Sequence, residues 1–342
     1  MFRPLPFRYA LVLLFLMGAC KRTDPKDTAF YYWKTTFDLS AKQKTLLRKT
    51  NTKAIYIRYF DVKWNDLHKR SYPEAVVRFD QGACPLPVIP VIYITNKTFE
   101  KMPKNGIDSL AFNCVKLVTQ LSSQQKFRPV KLQVDCDWTL KTRDAYFTFL
   151  AAIKKRSKCT LEATIRLHQI KYAHLTGVPP VDRGVLMFYN MGKLNANLKQ
   201  TNSIYNGEDA GHYLRHLKAY PLSLDVALPI FSWAIQIRNG RMIQVYQKLD
   251  RMNLENLNFE KLAVTENAFR AKKSFYLLGI YIKQNDIFKV EETNAQSLEK
   301  AASQLAKNLP EDSKRTIIYY ELANIDTTIF RAETIRQVSA CF

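Results

Sequence analysis

The sequence predicts an α/β protein that folds as a (β/α)₈ TIM barrel, with a β-hairpin inserted after the seventh strand. Eight short apolar segments, rich in Tyr, Val and Ile, alternate along the chain with longer segments of helical period. Strands that alternate with helices are typical of a parallel sheet covered by helices, and eight such units close a barrel. The competing fold, a doubly wound open sheet, is disfavoured because no Gly-x-Gly-x-x-Gly follows the first strand.

The predicted elements follow from local pattern. The strands are rich in β-branched and aromatic residues and are expected at residues 30–33, 54–60, 88–94, 130–137, 161–167, 184–189, 222–228 and 316–321. The helices carry apolar residues at helical spacing and are expected at residues 41–49, 107–122, 141–155, 210–219 and 295–307. With 47% hydrophobic and 24% charged residues, the chain is neither disordered nor a polytopic membrane protein.

One long stretch, residues 231–291, breaks the alternation. Two strand-like segments, 234–237 and 242–246, flank Asn239-Gly240, and Asn-Gly is the strongest short signal for a hairpin turn. We expect this hairpin to be followed by a loop or helix at residues 254–266. Insertions at the carboxyl ends of barrel strands shape substrate clefts, although a structural lid is the alternative interpretation.

The first twenty residues indicate export. Arg3 and Arg8 precede a short apolar run that ends in Gly18-Ala19-Cys20. This ending resembles the lipobox of bacterial lipoproteins, which implies cleavage before Cys20 and a lipid on its thiol. We therefore expect a signal peptide at residues 1–19, a linker at 20–28, and one barrel domain at 29–342. The expected location is the bacterial cell envelope, with the outer membrane favoured over the inner one.

The charge balance points to anionic partners. The chain has 52 Lys and Arg residues against 30 Asp and Glu, a net charge of +22, and the basic residues are scattered. Anionic glycans and lipid headgroups are the expected partners, whereas nucleic acid is disfavoured for an exported protein without a recognition motif. The cysteines other than Cys20 are odd in number and lack CxxC spacing, so neither a metal site nor a disulfide framework is expected.

Polar residues inside the fourth strand point to a functional site. Side chains alternate between the two faces of a strand, so the apolar Leu132, Val134 and Cys136 put Gln133, Asp135 and Asp137 on the inner face. Both aspartates then lie near the carboxyl end of the strand, where barrel enzymes carry their chemistry. Two neighbouring carboxylates raise the pKa of one of them, which suits acid-base work.

Other predicted strands also place charges inside the barrel, where a purely structural filling would use Val, Ile and Leu. These residues are Arg58, Glu162, Arg166, Asp225 and Glu321. A buried ion network is the alternative interpretation for Arg58, Glu162 and Arg166. Asp135, Asp137, Glu321 and Asp225 are the candidate catalytic carboxylates. Arg58 and Arg166 are candidates for recognising an acidic sugar, and Glu162 is a further candidate for contact with the substrate.

Two segments resemble chitinase-like (family 18) glycoside hydrolases. Gln133-Val134-Asp135-Cys136-Asp137-Trp138 is similar to that family's fourth-strand signature Asp-x-Asp-Trp-Glu, and Met187-Phe188-Tyr189-Asn190 is similar to its sixth-strand segment. The resemblance implies that Trp233 lines the floor of a sugar site. Trp138, Tyr189 and Trp233 also fall at strand ends, where aromatic rings either stack on sugars or fill the core and rim. We expect Trp138 and Trp233 to contact the sugar and Tyr189 to supply an orienting hydroxyl. The family's proton-donating Glu is replaced by Thr139. The fourth-strand segment is also similar to uncharacterised bacterial barrel proteins with Gln-x-Asp-x-Asp and no following Glu.

The working hypothesis is a lipid-anchored barrel that hydrolyses a glycosidic bond with the Asp135 and Asp137 pair, without metal or other cofactor. Two alternatives remain open. One is a catalytically inactive glycan-binding lipoprotein, favoured by Thr139. The other is an envelope scaffold whose basic surface binds anionic lipid or lipopolysaccharide.

Overall fold

A closed parallel barrel forms the body of the protein. The computed structural model describes residues 26–80, 84–200, 202–247 and 249–342, so the predicted signal peptide, Cys20 and most of the predicted linker lie outside the described residues. We number the eight barrel strands in chain order: β1 Asp27–Tyr32, β2 Ala54–Asn65, β3 Val88–Ile94, β4 Lys131–Asp135, β5 Thr160–Arg166, β6 Arg183–Met187, β7 Leu224–Pro229 and β8 Thr316–Tyr320. Each strand pairs in parallel with its neighbours, and β1 pairs with both β2 and β8, which closes the barrel.

Helices connect most of the strands on the outside. They are Ala41–Lys49, Asn96–Lys101, Ile107–Gln124, Arg143–Ser157, Leu167–Lys171, Ala173–Thr176, Gly207–Leu214, Arg251–Leu254, Ala295–Ala306 and Ala332–Ser339, with 3₁₀ turns at Lys104–Gly106 and Leu217–Ala219. Capping fixes several starts: Ser40 and Gln43 form a reciprocal capping box at the first helix. None of the helices in the described ranges has the length and apolar character that crossing a bilayer requires.

The predicted fold class is confirmed, and most element boundaries agree within three residues. Strand β3 and the first helix have the predicted bounds. Strand β2 extends five residues beyond the prediction because its end leaves the barrel and pairs antiparallel with the strand Arg70–Glu74. A two-residue parallel pairing, Thr36–Phe37 with Arg78–Phe79, lies beside it.

The barrel strands have one core layer on each face: one layer lies between the strands and the helices, and the other fills the barrel interior. Leu132, Val134 and Cys136 of the fourth strand segment belong to the layer under the helices. Tyr31 and Tyr56 fill the barrel interior, and the Tyr31 hydroxyl donates to Gln133 Oε1 at 2.7 Å. The predicted alternation of faces along β4 is therefore confirmed.

A β-bulge interrupts the alternation in β2. The pairing with β3 skips one residue between Arg58 and Phe60, so Tyr59 and Phe60 both pack under the helices. The residues on either side of this step, Arg58 and Asp61, consequently face each other, with 3.6 Å between Arg58 Nη1 and Asp61 Oδ1.

The insertion between β7 and β8 is a small antiparallel sheet. Its strands, in spatial order, are Arg241–Tyr246, Ser232–Arg238, Ile287–Glu292, Ala268–Ala271 and Phe259–Lys261. The predicted hairpin is confirmed: Asn239 and Gly240 form its turn with φ of 50° and 70°. A second hairpin, Phe275–Leu277 with Ile280–Ile282, projects from this sheet. The predicted loop or helix at 254–266 contains the strand Phe259–Lys261 instead.

Candidate functional site

A cleft of about 460 Å³ opens at the carboxyl ends of β4, β5 and β6. Its lining combines charged, aromatic and thioether groups: Asp137, Trp138, Thr139, Arg166, Leu167, His168, Met187, Tyr189, Asn190, Met191 and Tyr213. Four of the predicted site residues, Asp137, Trp138, Arg166 and Tyr189, therefore meet in one place. The carboxyl-end location agrees with where barrel proteins bind their ligands.

An ion pair between Asp137 and Arg166 forms the polar centre of the cleft. Arg166 donates from Nε to Asp137 Oδ1 at 2.6 Å and from Nη2 to Asp137 Oδ2 at 3.3 Å. Burial lowers the pKa of Arg166, but the charges of Asp137 and Asp135 outweigh it, and the net pKa is raised. The Asp137 side chain keeps 55% of its surface exposed, so the pair remains open to a ligand.

Asp135 lies one step deeper in the barrel than Asp137 and is buried. Thr164 Oγ1, on the neighbouring strand, donates to Asp135 Oδ1 at 2.6 Å. Burial raises the pKa of Asp135, the Arg166 guanidinium opposes the shift, and the Asp137 charge adds to it. The two aspartates thus share Arg166, but only Asp137 reaches the cleft.

Stacked aromatic rings fill the barrel mouth beside the cleft. The Tyr189 and Tyr320 rings stack at 5.3 Å between centroids, and Tyr320 also meets Trp33 edge-on at 5.7 Å. The only hydrogen-bond acceptor that the Tyr189 hydroxyl finds among the described residues is the Met187 sulfur, at 3.6 Å. Burial raises the pKa of Tyr189, so its hydroxyl stays protonated as a donor.

Two predicted sugar contacts need correction. The Trp138 ring is 2% exposed, stacks on Tyr146 at 5.1 Å and donates from Nε1 to the Thr176 carbonyl. Trp233 is also buried, and its Nε1 donates to Glu291 of the insertion at 3.0 Å. Both indoles pack in the core with their N–H groups bonded, although the edge of Trp138 also lines the wall of the cleft.

Glu162 and Asp225, which we predicted beside the aspartate pair, lie at the opposite end of the barrel. Both are fully buried near the amino ends of their strands. Glu162 pairs with Lys131 at 3.0 Å, and Asp225 pairs with Arg183 at 2.8 Å. Their side chains point into the barrel as predicted, but neither residue lines the cleft at the carboxyl ends of the strands.

Arg58 and Glu321 lie at the mouth but do not line the cleft. The Arg58 guanidinium lies over the Trp33 ring, 5.6 Å from its centroid, next to Asp61. Glu321 is buried and accepts a hydrogen bond from Asn324 at 2.5 Å. Burial raises the pKa of Glu321, and the Asn324 hydrogen bond opposes the shift. These two residues support the β1, β2 and β8 side of the mouth.

Thr139 occupies the position of the family's acid. Its side chain is exposed at the cleft, its backbone N–H donates to Thr142 Oγ1 at 2.9 Å, and the two hydroxyls lie 3.3 Å apart. The turn before the helix Arg143–Ser157 is thereby fixed without any carboxyl group.

Sequence reasoning missed several residues of the mouth. Asp61 follows the predicted second strand, and the bulge that turns it inward has no sequence signal. Tyr213 reaches the cleft from a helix that follows β6. His168, which the alternation along β5 also puts on the inner face, reaches the cleft from the helix that follows β5. Burial lowers the pKa of His168 despite the neighbouring Asp137 charge, so its imidazole is neutral at pH 7. No cluster of three or more potential metal ligands occurs among the described side chains.

Comparison with solved structures places the fold. The spore cortex-lytic enzyme SleL of Bacillus cereus matches with a TM-score of 0.51 and 14% identity, over 93% of this chain and 74% of SleL. A chitinase-like C-terminal domain from Desulfitobacterium hafniense matches with a TM-score of 0.57 and 9% identity, over 93% and 99%. A chitinase from Bacteroides thetaiotaomicron gives 0.50 and 10%, over 92% and 95%. No protein-family model and no curated protein sequence matches. The chain thus shares the (β/α)₈ barrel fold of these solved structures.

Proposed function

We propose that the cleft binds a carbohydrate chain and does not cleave it. The observation that carries this proposal is the Asp137 and Arg166 pair at the centre of an open cleft whose acid position holds Thr139. The proposal is also supported by the fold, since solved structures that share it include chitinases and a cortex-lytic enzyme. Those names describe the neighbours, and carbohydrate as the ligand class is our inference.

The paired side chains suit sugar hydroxyls. Asp137 keeps acceptor capacity on both oxygens, Arg166 has donors beyond those it gives to Asp137, and the Tyr189 hydroxyl adds a further donor. Charge-assisted hydrogen bonds of this kind are about twice as strong as neutral ones. The exposed Asp137 contacts the ligand in this proposal, whereas the buried Asp135 lies behind the cleft and acts on Arg166 only through its charge.

Hydrolysis, our working hypothesis from the sequence, lacks a proton donor at the bond to be cleaved. A glycosidase needs a general acid within hydrogen-bond reach of the leaving oxygen. Thr139 has no carboxyl group, Glu321 is buried outside the cleft, and Asp135 is protonatable but buried behind Asp137. Binding without turnover therefore fits the available groups better.

Calorimetric titration against a panel of neutral and acidic oligosaccharides tests the proposal. We expect one glycan class to bind, and we expect Asp137→Asn and Arg166→Ala each to weaken it about tenfold or more, because each removes charge-assisted hydrogen bonds. Asp144→Asn is the matched control, since Asp144 also pairs with an arginine, Arg143, at 2.8 Å but on an outer helix. New reducing ends in the same samples, absent with Asp137→Asn, would replace our proposal with hydrolysis. Equal binding by all three variants would reject this cleft.

We also propose that the barrel is tethered to the bacterial envelope through a lipid on Cys20, preferentially at the outer membrane. The lipobox-like Gly18-Ala19-Cys20 supports it. Metabolic labelling with a fatty-acid analogue is expected to mark the wild-type chain and not Cys20→Ala. Label on Cys20→Ala at the wild-type level would disprove the anchor site.

A further inference from the structure

The second hairpin of the insertion, Phe275–Leu277 with Ile280–Ile282, ends in a free convex tip. Its turn consists of Leu278 and Gly279, with φ of 49° and 80°. A Cβ atom added to Gly279 would meet no atom within 4 Å, so the tip projects into open solvent. The base is fixed, because Gln284 N–H donates to Ser274 Oγ at 2.9 Å.

The outward face of this hairpin is apolar although nothing described covers it. Tyr276, Leu278 and Tyr281 are 73%, 58% and 48% exposed, and the two tyrosine rings lie 5.2 Å apart. The inward face does the packing: Ile282 is buried and Phe275 meets Phe259 edge-on at 5.4 Å. The exposed side chains are therefore not needed for the core of the insertion.

Positive charge surrounds the base of the hairpin. Lys272, Lys273 and Lys283 are exposed, and no acidic residue occurs between positions 268 and 285. The next acid in the chain, Asp286, is buried and neutralised by Arg238 at 2.6 Å. Arg270 pairs with Glu260 at 3.0 Å, which leaves the three lysines as the unpaired charges of the described segment 268–285.

We propose that this hairpin docks on an anionic lipid bilayer, with Tyr276, Leu278 and Tyr281 at headgroup level and the three lysines on lipid phosphates. Tyrosine favours the membrane interface because its ring is apolar and its hydroxyl is polar. Lysines beside an anionic leaflet each strengthen attachment roughly fivefold. A bilayer fits better than a glycan chain, because the tip is convex and its apex is the aliphatic Leu278.

Vesicle co-sedimentation tests this surface. The protein is the chain from residue 20 with Cys20→Ser, which carries no lipid, and the vesicles contain either phosphatidylcholine alone or a mixture with phosphatidylglycerol. We expect binding to the mixed vesicles only. Tyr276→Ser with Tyr281→Ser should weaken it at least about fivefold. Lys272→Glu with Lys273→Glu should weaken it by more than about thirtyfold, because two lysine contributions are lost and two negative charges are added.

Two controls separate the hairpin from the overall charge. Lys116→Glu with Lys155→Glu removes two exposed lysines from the outer helices Ile107–Gln124 and Arg143–Ser157, and Leu67→Ser removes an 84% exposed leucine elsewhere. Both controls should bind as the parent does. Equal losses in the lysine control, unchanged binding in the hairpin variants, or hairpin-dependent retention by an acidic polysaccharide in place of vesicles would overturn the proposal. Because none of these variants alters the cleft, failure here leaves the proposed glycan site untouched.

Discussion

Each end of the barrel carries an ion pair between an arginine and an aspartate, and the two pairs differ in their exposure to solvent. At the carboxyl end, Arg166 of β5 holds Asp137 through two hydrogen bonds. At the amino end, Arg183 of β6 holds Asp225 through two hydrogen bonds of 3.2 and 2.8 Å. The carboxylate of the first pair is 55% exposed, and that of the second is fully buried.

Exposure decides what each pair can do. Asp225 also accepts a hydrogen bond from the Thr316 backbone N–H at 2.8 Å, and Arg183 also binds Asp312. Other groups of the protein therefore use the remaining hydrogen-bonding capacity of the Arg183–Asp225 pair, which we call the lower pair; Arg166–Asp137 is the upper pair. The upper pair faces a cleft and has unused hydrogen-bonding capacity. A bidentate ion pair between neighbouring strands is therefore structural at one end of this barrel and available to a ligand at the other.

The largest effect that this comparison predicts is on the lower pair. Asp225→Ala should reduce the free energy of unfolding by about 3 kcal/mol, because it leaves the Thr316 N–H without its buried acceptor and leaves Arg183 with Asp312 as its one remaining carboxylate. Urea denaturation followed by circular dichroism measures it. A loss of unfolding free energy below about 1 kcal/mol would contradict the structural role that we assign to the Arg183–Asp225 pair.

The second largest effect that we expect is a dependence of folding stability on pH that comes from Asp135. Burial raises its pKa above the value in the unfolded chain, so its contribution to stability is present in acid and is lost as pH rises through the raised pKa. Asp135→Asn mimics the protonated form and can still accept from Thr164. Wild type should therefore lose stability relative to this variant as the pH increases from about 4.

Asp182→Asn is the control of opposite sign. Partial burial raises the pKa of Asp182, but hydrogen bonds from Lys154 and from the Leu161 N–H outweigh it and lower the net pKa. Relative to Asp182→Asn, wild type should gain stability as pH rises through the acid range. Parallel slopes for the two variants in denaturation series from pH 3 to pH 7 would contradict the environment assigned to Asp135.

The sequence predicts whether a side chain points into the barrel, but it does not predict at which end of the barrel that side chain lies. Alternation along β4, β5 and β7 correctly put Asp135, Glu162 and Asp225 inside the barrel, because side-chain direction depends only on position within a strand. Height along the barrel axis depends on how neighbouring strands are staggered, which a single sequence does not display. Alternation therefore predicts that Asp225 and Asp137 share the barrel interior, but it does not show that they lie at opposite ends of the barrel.

Two further differences have equally local causes. The bulge in β2 turns Asp61 toward the mouth, and no residue pattern announced it. Trp138 follows the parity of Cys136 and so points under the helices, where its N–H finds the Thr176 carbonyl. Of the two interpretations that its strand-end position allows, a sugar contact or a core filler, the packing of Trp138 agrees with the second.

The upper pair should contribute little to stability. Asp137→Ala is expected to cost about 1 kcal/mol of unfolding free energy, since the Asp137 carboxylate is 55% exposed and water in the open cleft can replace it beside Arg166. The same denaturation assay used for Asp225→Ala gives a direct comparison on one scale. A loss as large as that of Asp225→Ala would mean that the cleft pair is structural too, and would remove the reason for assigning it to a ligand.

The smallest expected effect on stability concerns one atom of the cleft, the hydroxyl oxygen of Tyr189. The Tyr189 hydroxyl has only the weak Met187 sulfur acceptor at 3.6 Å, so Tyr189→Phe should change the unfolding free energy by less than about 0.5 kcal/mol. If that hydroxyl donates to bound glycan, the same variant should weaken binding about threefold to tenfold, the equivalent of one neutral hydrogen bond. Tyr319→Phe is the control, because the Tyr319 hydroxyl is bonded to the Ile335 carbonyl and Ser339 under the helices. It should lower stability and leave affinity unchanged; the reverse pattern would place the ligand away from Tyr189.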